Sequence, residues 1–455
     1  MANSRNSSLP ADLVAAVAAR LRLFVHSGDR LVVALSGGLD SIVLLHLLRR
    51  AEALRDCALA ALHVNHHISA NADRWQAFCQ ETCEAWHVPL LVHHLEPLSD
   101  SGDGLEGAAR RARYAVFART EANWLVLAHH RDDQAETLML NLLRGAGVAG
   151  AAGMPAMRMF REYPALGLLR PLLDFPREAL AAYACAEGLR WIEDESNQDP
   201  RHSRNFIRHR ILPALRERFP GCDRTLARAA MHFAEGRALL DQIACVDAGL
   251  VVRNGRMVVA ELSSLDDARL RNLLRHVLGS EGVLMPDSSR LNEIVRQIRH
   301  ADESRHVRFD LGTRTLHRYR GELWLVVPGE VVAELPWRGE AALQWGGNTL
   351  RFEHRAGAGI SQKLLADHPV TIAPRKGGER IRPDRLRPRR ALRKLLQESA
   401  VPPWEREVLP LLWCGNTLVW AAGIGVDCAW QCAPGEPGLL PDWSGSSGSQ
   451  IKLAG

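Results

Sequence analysis

The chain has 455 residues, 47% of them hydrophobic, 24% charged and 6% aromatic, which excludes disordered, collagenous and disulfide-scaffold proteins. At roughly 100–200 residues per domain there is room for two to four domains, and three is the natural reading. Its 57 Lys and Arg against 52 Asp and Glu leave a net charge of +5, too small to establish a polyanionic partner, because net charge hides distribution.

The N-terminus, MANSRNSSLPADL, lacks the basic-then-apolar layout of a secretory signal. No run approaches the ~18–20 apolar residues of a membrane span, so no membrane partner is expected. Next come four apolar runs, LVVAL (31–35), ALAALHV (58–64), PLLVHHL (89–95) and WLVLAHH (124–130). Helix-like stretches at 41–54, 71–86, 106–120 and 132–144 separate them. Strands taking turns with helices predict βαβ units and an α/β fold with a doubly wound parallel sheet. The strands are apolar throughout rather than alternating, as burial on both faces requires.

Pro176 opens another helix (176–188), followed by the long polar segment WIEDESNQDPRHSRNFIRHRILP (191–213). Residues 214–300 read mostly as helix, and β-like runs VRFDL, LWLVV and LRFEH follow between 305 and 353. Gly339, Gly346, Gly347, Gly357 and Gly359 mark 338–362 as a linker. A last unit ends in LVWAAGIGVDCAW, and the tail SGSSGSQ is low-complexity. The expected domains are therefore 1–215 for chemistry, 216–335 mostly helical, and a small mixed α/β domain at 363–443.

The sharpest local signal is Ser36-Gly37-Gly38-Leu39-Asp40-Ser41, between a buried strand and a helix. Two glycines let the backbone turn sharply and bare its N–H groups, and the helix N-terminus adds positive charge, so the loop suits an anion. Ser36 and Ser41 can donate to the same anion. Asp40 would repel phosphate unless a cation intervenes, which points to Mg²⁺ on polyphosphate oxygens. The loop lacks the Gly-Lys-Ser/Thr ending of a Walker loop. The plain alternative is a Gly-rich turn with Asp40 and Ser41 as helix caps.

AHHRDDQAETLMLNLLRG (128–145) starts at the end of the fourth strand, where an open parallel sheet places its ligands. Asp133 and Glu136 lie three apart and share one helix face, suited to gripping an ammonium group or orienting an amine. Capping alone accounts for one or two of these acids, but not for their company with His129 and His130. Arg110 and Arg113 also share a helix face, and could meet ATP phosphate, RNA or solvent.

Two segments are strongly basic. Residues 201–228 hold Arg201, Arg204, Arg208, Arg210, Arg216, Arg218, Arg224 and Arg228 against two acids. Residues 375–394 hold ten bases, Arg380 and Arg382 among them, against Glu379 and Asp384. Such local fields favour contact with an RNA backbone over a plain solvated face. Nine scattered cysteines argue against a disulfide framework and for a reducing, cytoplasmic compartment. Cys79, Cys83 and His87 recur every four residues, but with no fourth ligand they read as core packing.

SGGLDS after the first strand resembles the pyrophosphate loop of the N-type ATP pyrophosphatases (PP-loop enzymes). With HVNH (63–66), EGAARRARYAVF (106–117), AHHRDDQAET (128–137), RPLL (170–173), the 191–213 segment, GGERIRP (377–383) and KLLQESAVPPWEREVLPLLW (394–413), the chain resembles the tRNA(Ile)-lysidine synthetase family from about 30 to 430. One departure is HVNHHIS, where a glycine is expected at position 67. The resemblance implies a PP-loop domain using ATP and Mg²⁺, then a helical middle domain and a tRNA-contacting C-terminal domain. It implies adenylation of the C2 oxygen of the wobble cytidine in a CAU-anticodon tRNA(Ile). Attack by the ε-amine of free L-lysine then releases AMP. Asp40, Asp133 and Glu136 would be the catalytic acids, either of the last two serving as base, with Ser36–Ser41 on ATP and Arg110, Arg113, Arg204, Arg208, Arg380 and Arg382 toward substrate or RNA. A homodimer is compatible with this reading. The rivals are a sulfur-transferring tRNA enzyme, for which Cys57 is the available persulfide carrier, and a non-catalytic RNA-binding protein.

Overall fold

The computed structural model describes residues 9–67, 69–95, 104–160, 163, 165–195, 199–300, 306–328, 332–366 and 368–443. The SGSSGSQ tail lies outside them. The chain divides into two compact units, 1–239 and 240–455.

In the first unit the chain runs α1 (Leu9–Leu21), β1 (Arg30–Ala34), α2 (Leu39–Arg50), β2 (Ala58–Asn65), α3 (Ala72–Ala85), β3 (Leu90–His94), α4 (Gly104–Ala118), β4 (Trp124–Val126) and α5 (Arg131–Leu143). It continues through α6 (Val148–Ala151), β5 (Met157–Met159), β6 (Gly167–Leu169), α7 (Arg177–Ala186), α8 (Ser203–Phe206), a π-helical turn (Ile207–Ile211), α9 (Leu212–Arg218) and the start of α10 (Cys222–Val251). The sheet order is β3-β2-β1-β4-β6-β5. All neighbours pair parallel except β5, which runs antiparallel to β6 at the edge. Both faces are covered, as continuous apolar strands demand. Neighbouring Val32 and Val33 are each 0% exposed, Val33 packing with α1, α2, α3 and α7 and Val32 with Phe117 of α4 and Phe160.

This order fixes where a ligand goes. From β1 the chain winds through β2 and β3 on one side and returns to place β4 on the other. The loops leaving β1 and β4 therefore diverge, and the crevice outside their carboxyl ends is the switch point of the sheet. The SGGLDS loop and the AHHRDDQAET segment are those two loops.

The second unit carries two further cores. The first packs the end of α10, α12 (Asp267–Ser280) and α13 (Ser288–His300), with the short α11 (Val259–Leu262), against an antiparallel sheet. That sheet is ordered Val252–Arg253, Arg256–Val258, Glu322–Val326, Thr315–Tyr319, Val307–Asp310. The expectation of a mostly helical stretch holds for α12 and α13, but five short strands share the region. The linker expected at 338–362 is corrected. Ala342–Trp345 and Asn348–Ala356 are strands, the second pairing with Pro437–Asp442 over six residue pairs. The glycines there serve close packing: a Cβ on Gly359 would stand 2.2 Å from the Leu439 carbonyl oxygen.

Candidate active site

Between β1 and α2 the chain folds into an anion cradle. Gly37 adopts φ +84°, and a Cβ there would meet Ile192 Cδ1 at 2.9 Å and Cys79 Sγ at 3.2 Å, so both backbone and space require glycine. Gly38 caps α2 and has no side chain to fold over the first helical amides. The two serines brace the turn: Gly38 N–H donates to Ser36 Oγ (3.3 Å), Ser41 Oγ donates to Gly38 O (3.0 Å), and the two hydroxyls meet at 3.1 Å. Ile192 N–H donates to Gly37 O at 2.9 Å, so the 191–213 segment pins the loop from outside. That contact was invisible in the sequence pattern.

Asp40 stands at the mouth of the loop. Its Oδ1 is buried without a hydrogen-bond partner, and Arg177 Nε is 3.9 Å away. Among the described residues no group of three His, Cys, Asp or Glu could hold a metal by itself. A single carboxylate with an unsatisfied oxygen beside a phosphate cradle fits Mg²⁺, which takes one or two carboxylates and completes its shell with phosphate oxygens and water.

Across the crevice, Asp133 and Glu136 lie on one face of α5, as their spacing predicts, and both are buried, Glu136 being 1% exposed. The structure brings them to Arg204 and Arg208, which the sequence grouped with an RNA-facing cluster. Arg204 donates through Nε to Glu136 Oε2 (2.8 Å) and through Nη2 to Asp133 Oδ1 (2.9 Å). Arg208 donates to Glu136 Oε1 (2.6 Å) and Oε2 (2.9 Å) and to Asp133 Oδ1 (3.2 Å). A π-helical turn, which often marks a functional site, carries Arg208 to this position. The result is a half-enclosed quartet of two anions and two cations.

His130, 1% exposed, links the quartet to the Ser36–Ser41 loop. Its Nε2 lies 3.4 Å from Asp133 Oδ2 and 3.7 Å from Asp40 Oδ2. Burial pulls its pKa down, but the carboxylates of Asp40, Asp133 and Asp132 outweigh burial and hold it above the ordinary imidazole value. Burial pushes Asp133 the other way, yet His130 and Arg204 bring its carboxyl down to about 2. Neighbouring His129 is driven by burial to about 3, against Asp133 and with help from Arg170.

Arg110 and Arg113 are exposed on α4, Arg110 lying over the Tyr114 ring. Arg113 adds to the burial that brings His66 down to about 4. At position 67, where glycine was expected, His67 takes φ +52°, so the backbone keeps the glycine-like geometry with a different side chain. Cys79 and Cys83 are core residues whose thiols burial pushes up to about 12 and about 11, as the packing reading anticipated.

The first basic segment is thinner at the surface than its count suggests. Besides Arg204 and Arg208, Arg216 pairs with Asp223 and Asp132, and Arg201 with Asp199. Arg210, Arg218, Arg224 and Arg228 remain exposed. In the second segment, Arg380–Ile381 pairs with Arg390–Ala391 as a small hairpin. Arg380 and Arg382 are exposed and donate to the carbonyls of Arg389 and Arg385. Beside the hairpin, Arg375, Lys376, Arg393 and Arg406 line a cleft of about 360 Å³.

Comparison with known proteins adds to this geometry. Residues 13–215 match the PP-loop domain, 258–324 the TilS substrate binding domain and 370–443 the TilS substrate C-terminal domain. The chain is 42% identical to the tRNA(Ile)-lysidine synthase of Nitrosomonas europaea, covering 99% of both chains. It is 44% identical to that of Aromatoleum aromaticum, covering 91% of this chain and 97% of the other. With that of Escherichia coli O157:H7 it shares 38% identity over 91% and 96% of the two chains.

Proposed function

The chain belongs to the tRNA(Ile)-lysidine synthase family, and we propose that it joins free L-lysine to C2 of the wobble cytidine of a CAU-anticodon tRNA(Ile), using ATP and passing through an adenylated cytidine. It is a PP-loop, ATP-using ligase of tRNA modification. The observation that carries the mechanism is the meeting of the ATP loop with a quartet of both charge signs at the switch point of one sheet.

The roles follow from charge. The bare amides of α2, with Ser36 and Ser41, cradle the polyphosphate, and Asp40 would hold Mg²⁺. Bound there, Mg²⁺ supplies neutralisation of the phosphate charge during adenylation. Free lysine brings a carboxylate and two ammonium groups, so it needs partners of both signs. Arg204 and Arg208 match the carboxylate, and Asp133 and Glu136 match an ammonium. Without lysine these four satisfy one another, and the substrate enters by exchanging those bonds for its own. The attacking ε-amine must be neutral, so an acceptor takes its proton. Asp133 and Glu136, on one face of α5, are the two acceptors within reach of such an amine. Exposed Arg380 and Arg382 face the tRNA backbone. The chemistry suits the cytoplasm, where ATP, lysine and tRNA coexist.

The test mixes ATP, lysine and a CAU-anticodon tRNA and follows AMP release. AMP formation that depends on both lysine and that tRNA is expected. Turnover that needs no lysine, or accepts any tRNA equally, sinks the proposal.

A further inference from the structure

We propose that Arg170 is a positioning residue of this site, holding His129 as a neutral imidazole whose one remaining proton sits on Nε2. Arg170 follows β6, next to β4 in the sheet, and is 4% exposed. Its Nε donates to His129 Nδ1 at 3.1 Å and its Nη1 donates to the Pro155 carbonyl at 2.8 Å, while its own backbone N–H is taken by Ala156 O. The guanidinium is thus tied down on two sides.

The consequence is a matter of donor and acceptor counting. A guanidinium has five N–H groups and no lone pair to offer, so whatever meets its Nε must accept. His129 Nδ1 therefore carries a lone pair. That excludes the imidazolium, which is a donor at both nitrogens, and leaves Nε2–H as the form of the neutral ring. Charge agrees with hydrogen bonding. Burial is the larger reason that His129 stays neutral, and Arg170, Arg204 and Arg110 add repulsion against a second proton, over the attraction of Asp133.

The adjacent His130 faces three carboxylates instead of a guanidinium. His129 is suited to donate a neutral hydrogen bond to an acceptor atom of substrate. In the reaction proposed above, acceptors of that class are the oxygens of the adenylate and the pyrimidine ring. A neutral donor stabilises charge building on such an atom without a competing ion pair in the ground state. Buried arginines are scarce because desolvating a guanidinium is costly, and burial lowers the Arg170 pKa accordingly. Packing between β6 and the Pro155 loop would be met as well by an apolar side chain. A fixed proton on His129 would not.

This inference rests on the proposed function for its substrate, so its test starts with a readout that needs none. In ¹⁵N-histidine-labelled protein, the His129 Nδ1 resonance of the intact enzyme is expected in the unprotonated range across pH 5–8. In Arg170→Met it is expected to move toward the protonated range as the Nδ1–H tautomer of the neutral ring gains population, burial still holding off the second proton. Arg170→Lys, which keeps a cationic donor, should restore most of the original signal. In turnover, Arg170→Met should lower kcat roughly ten- to a hundredfold with the KM for ATP little changed. His129→Ala should be as slow, and adding Arg170→Met to it should cost nothing further. A protonated Nδ1 in the unaltered enzyme overturns the inference, whatever the activity. So does an Arg170→Met protein that folds with an unchanged His129 signal, or multiplicative losses in the double variant. Should Arg170→Met not fold, the Nδ1 state in the unaltered enzyme decides by itself. Failure of the lysine-dependent assay with the expected spectrum would count against the proposed function alone.

Discussion

Removing Arg208 tests whether the quartet is a real electrostatic unit. Arg208→Met keeps most of the side-chain volume and deletes three charge-assisted bonds, two to Glu136 at 2.6 and 2.9 Å and one to Asp133 at 3.2 Å. Glu136 is 1% exposed and cannot recover those partners from water. Breaking one side of a buried pair costs about 3–5 kcal/mol, and the low end applies because the Arg208 side chain is 30% exposed. A loss of about 3 kcal/mol in a domain of this size lowers its melting temperature by roughly 6–12 °C. Glu136→Gln should cost a comparable amount by leaving two guanidiniums facing Asp133. The combination is the sharper measurement. If the two groups satisfy each other, the double variant loses less than the sum of the singles, with a coupling of about 2 kcal/mol by calorimetry. All three proteins should lose lysine-dependent AMP release. A coupling below about 0.5 kcal/mol, or a single-variant loss that small, refutes the pairing and the lysine site built on it.

Further outcomes concern the loop, the tRNA surface and acid stability. Gly37→Ala introduces a side chain at φ +84° within 2.9 Å of Ile192, so it should destabilise the cradle by about 1–3 kcal/mol and raise the KM for ATP while leaving the rest of the sheet folded; an unchanged KM refutes the loop assignment. Arg380→Ala and Arg382→Ala should each weaken tRNA binding, flattening the slope of log affinity against log salt by about one, with ATP binding intact; unchanged slopes would remove the hairpin from the tRNA surface. Burial brings His129 to about 3 and His66 and His317 to about 4. Their folded values lie below the unfolded one, so the unfolded chain binds protons first, and stability is expected to fall as pH drops from about 6.5 toward 4. Urea midpoints at pH 7 and pH 5 check the sign, and a higher midpoint at pH 5 would contradict it.

What the sequence revealed and what it hid divide by the range of the physics involved. The parallel core was legible because a strand buried on both faces must be apolar at every position, a local property that LVVAL and WLVLAHH display. The three-residue β5 and β6 were not, since β5 (Met157-Arg158-Met159) is exposed and too short for any period. Glycine misled at 338–362 because the same residue that loosens a linker also lets strands approach. Only the structure shows Leu439 O where a Gly359 Cβ would be. In the candidate site, the loop and the α5 carboxylates were legible because their chemistry is written in adjacent residues. Arg204 and Arg208 were seen as candidates for substrate or RNA, inside a segment read for its density of positive charge. A count of arginines over 201–228 measures local charge density, which tells RNA from solvent only if the side chains face outward. Their partners lie 68 and 72 residues away along the chain, and nothing in a local count reports that. Arg170 was passed over for the converse reason. One arginine beside RPLL raises no local field, and its importance comes from the single acceptor it fixes on the neighbouring strand. A basic cluster beside an acidic pair at a strand end is therefore first a candidate for mutual neutralisation. Only the arginines left over, Arg210, Arg218, Arg224 and Arg228 in this segment, count toward a nucleic-acid surface.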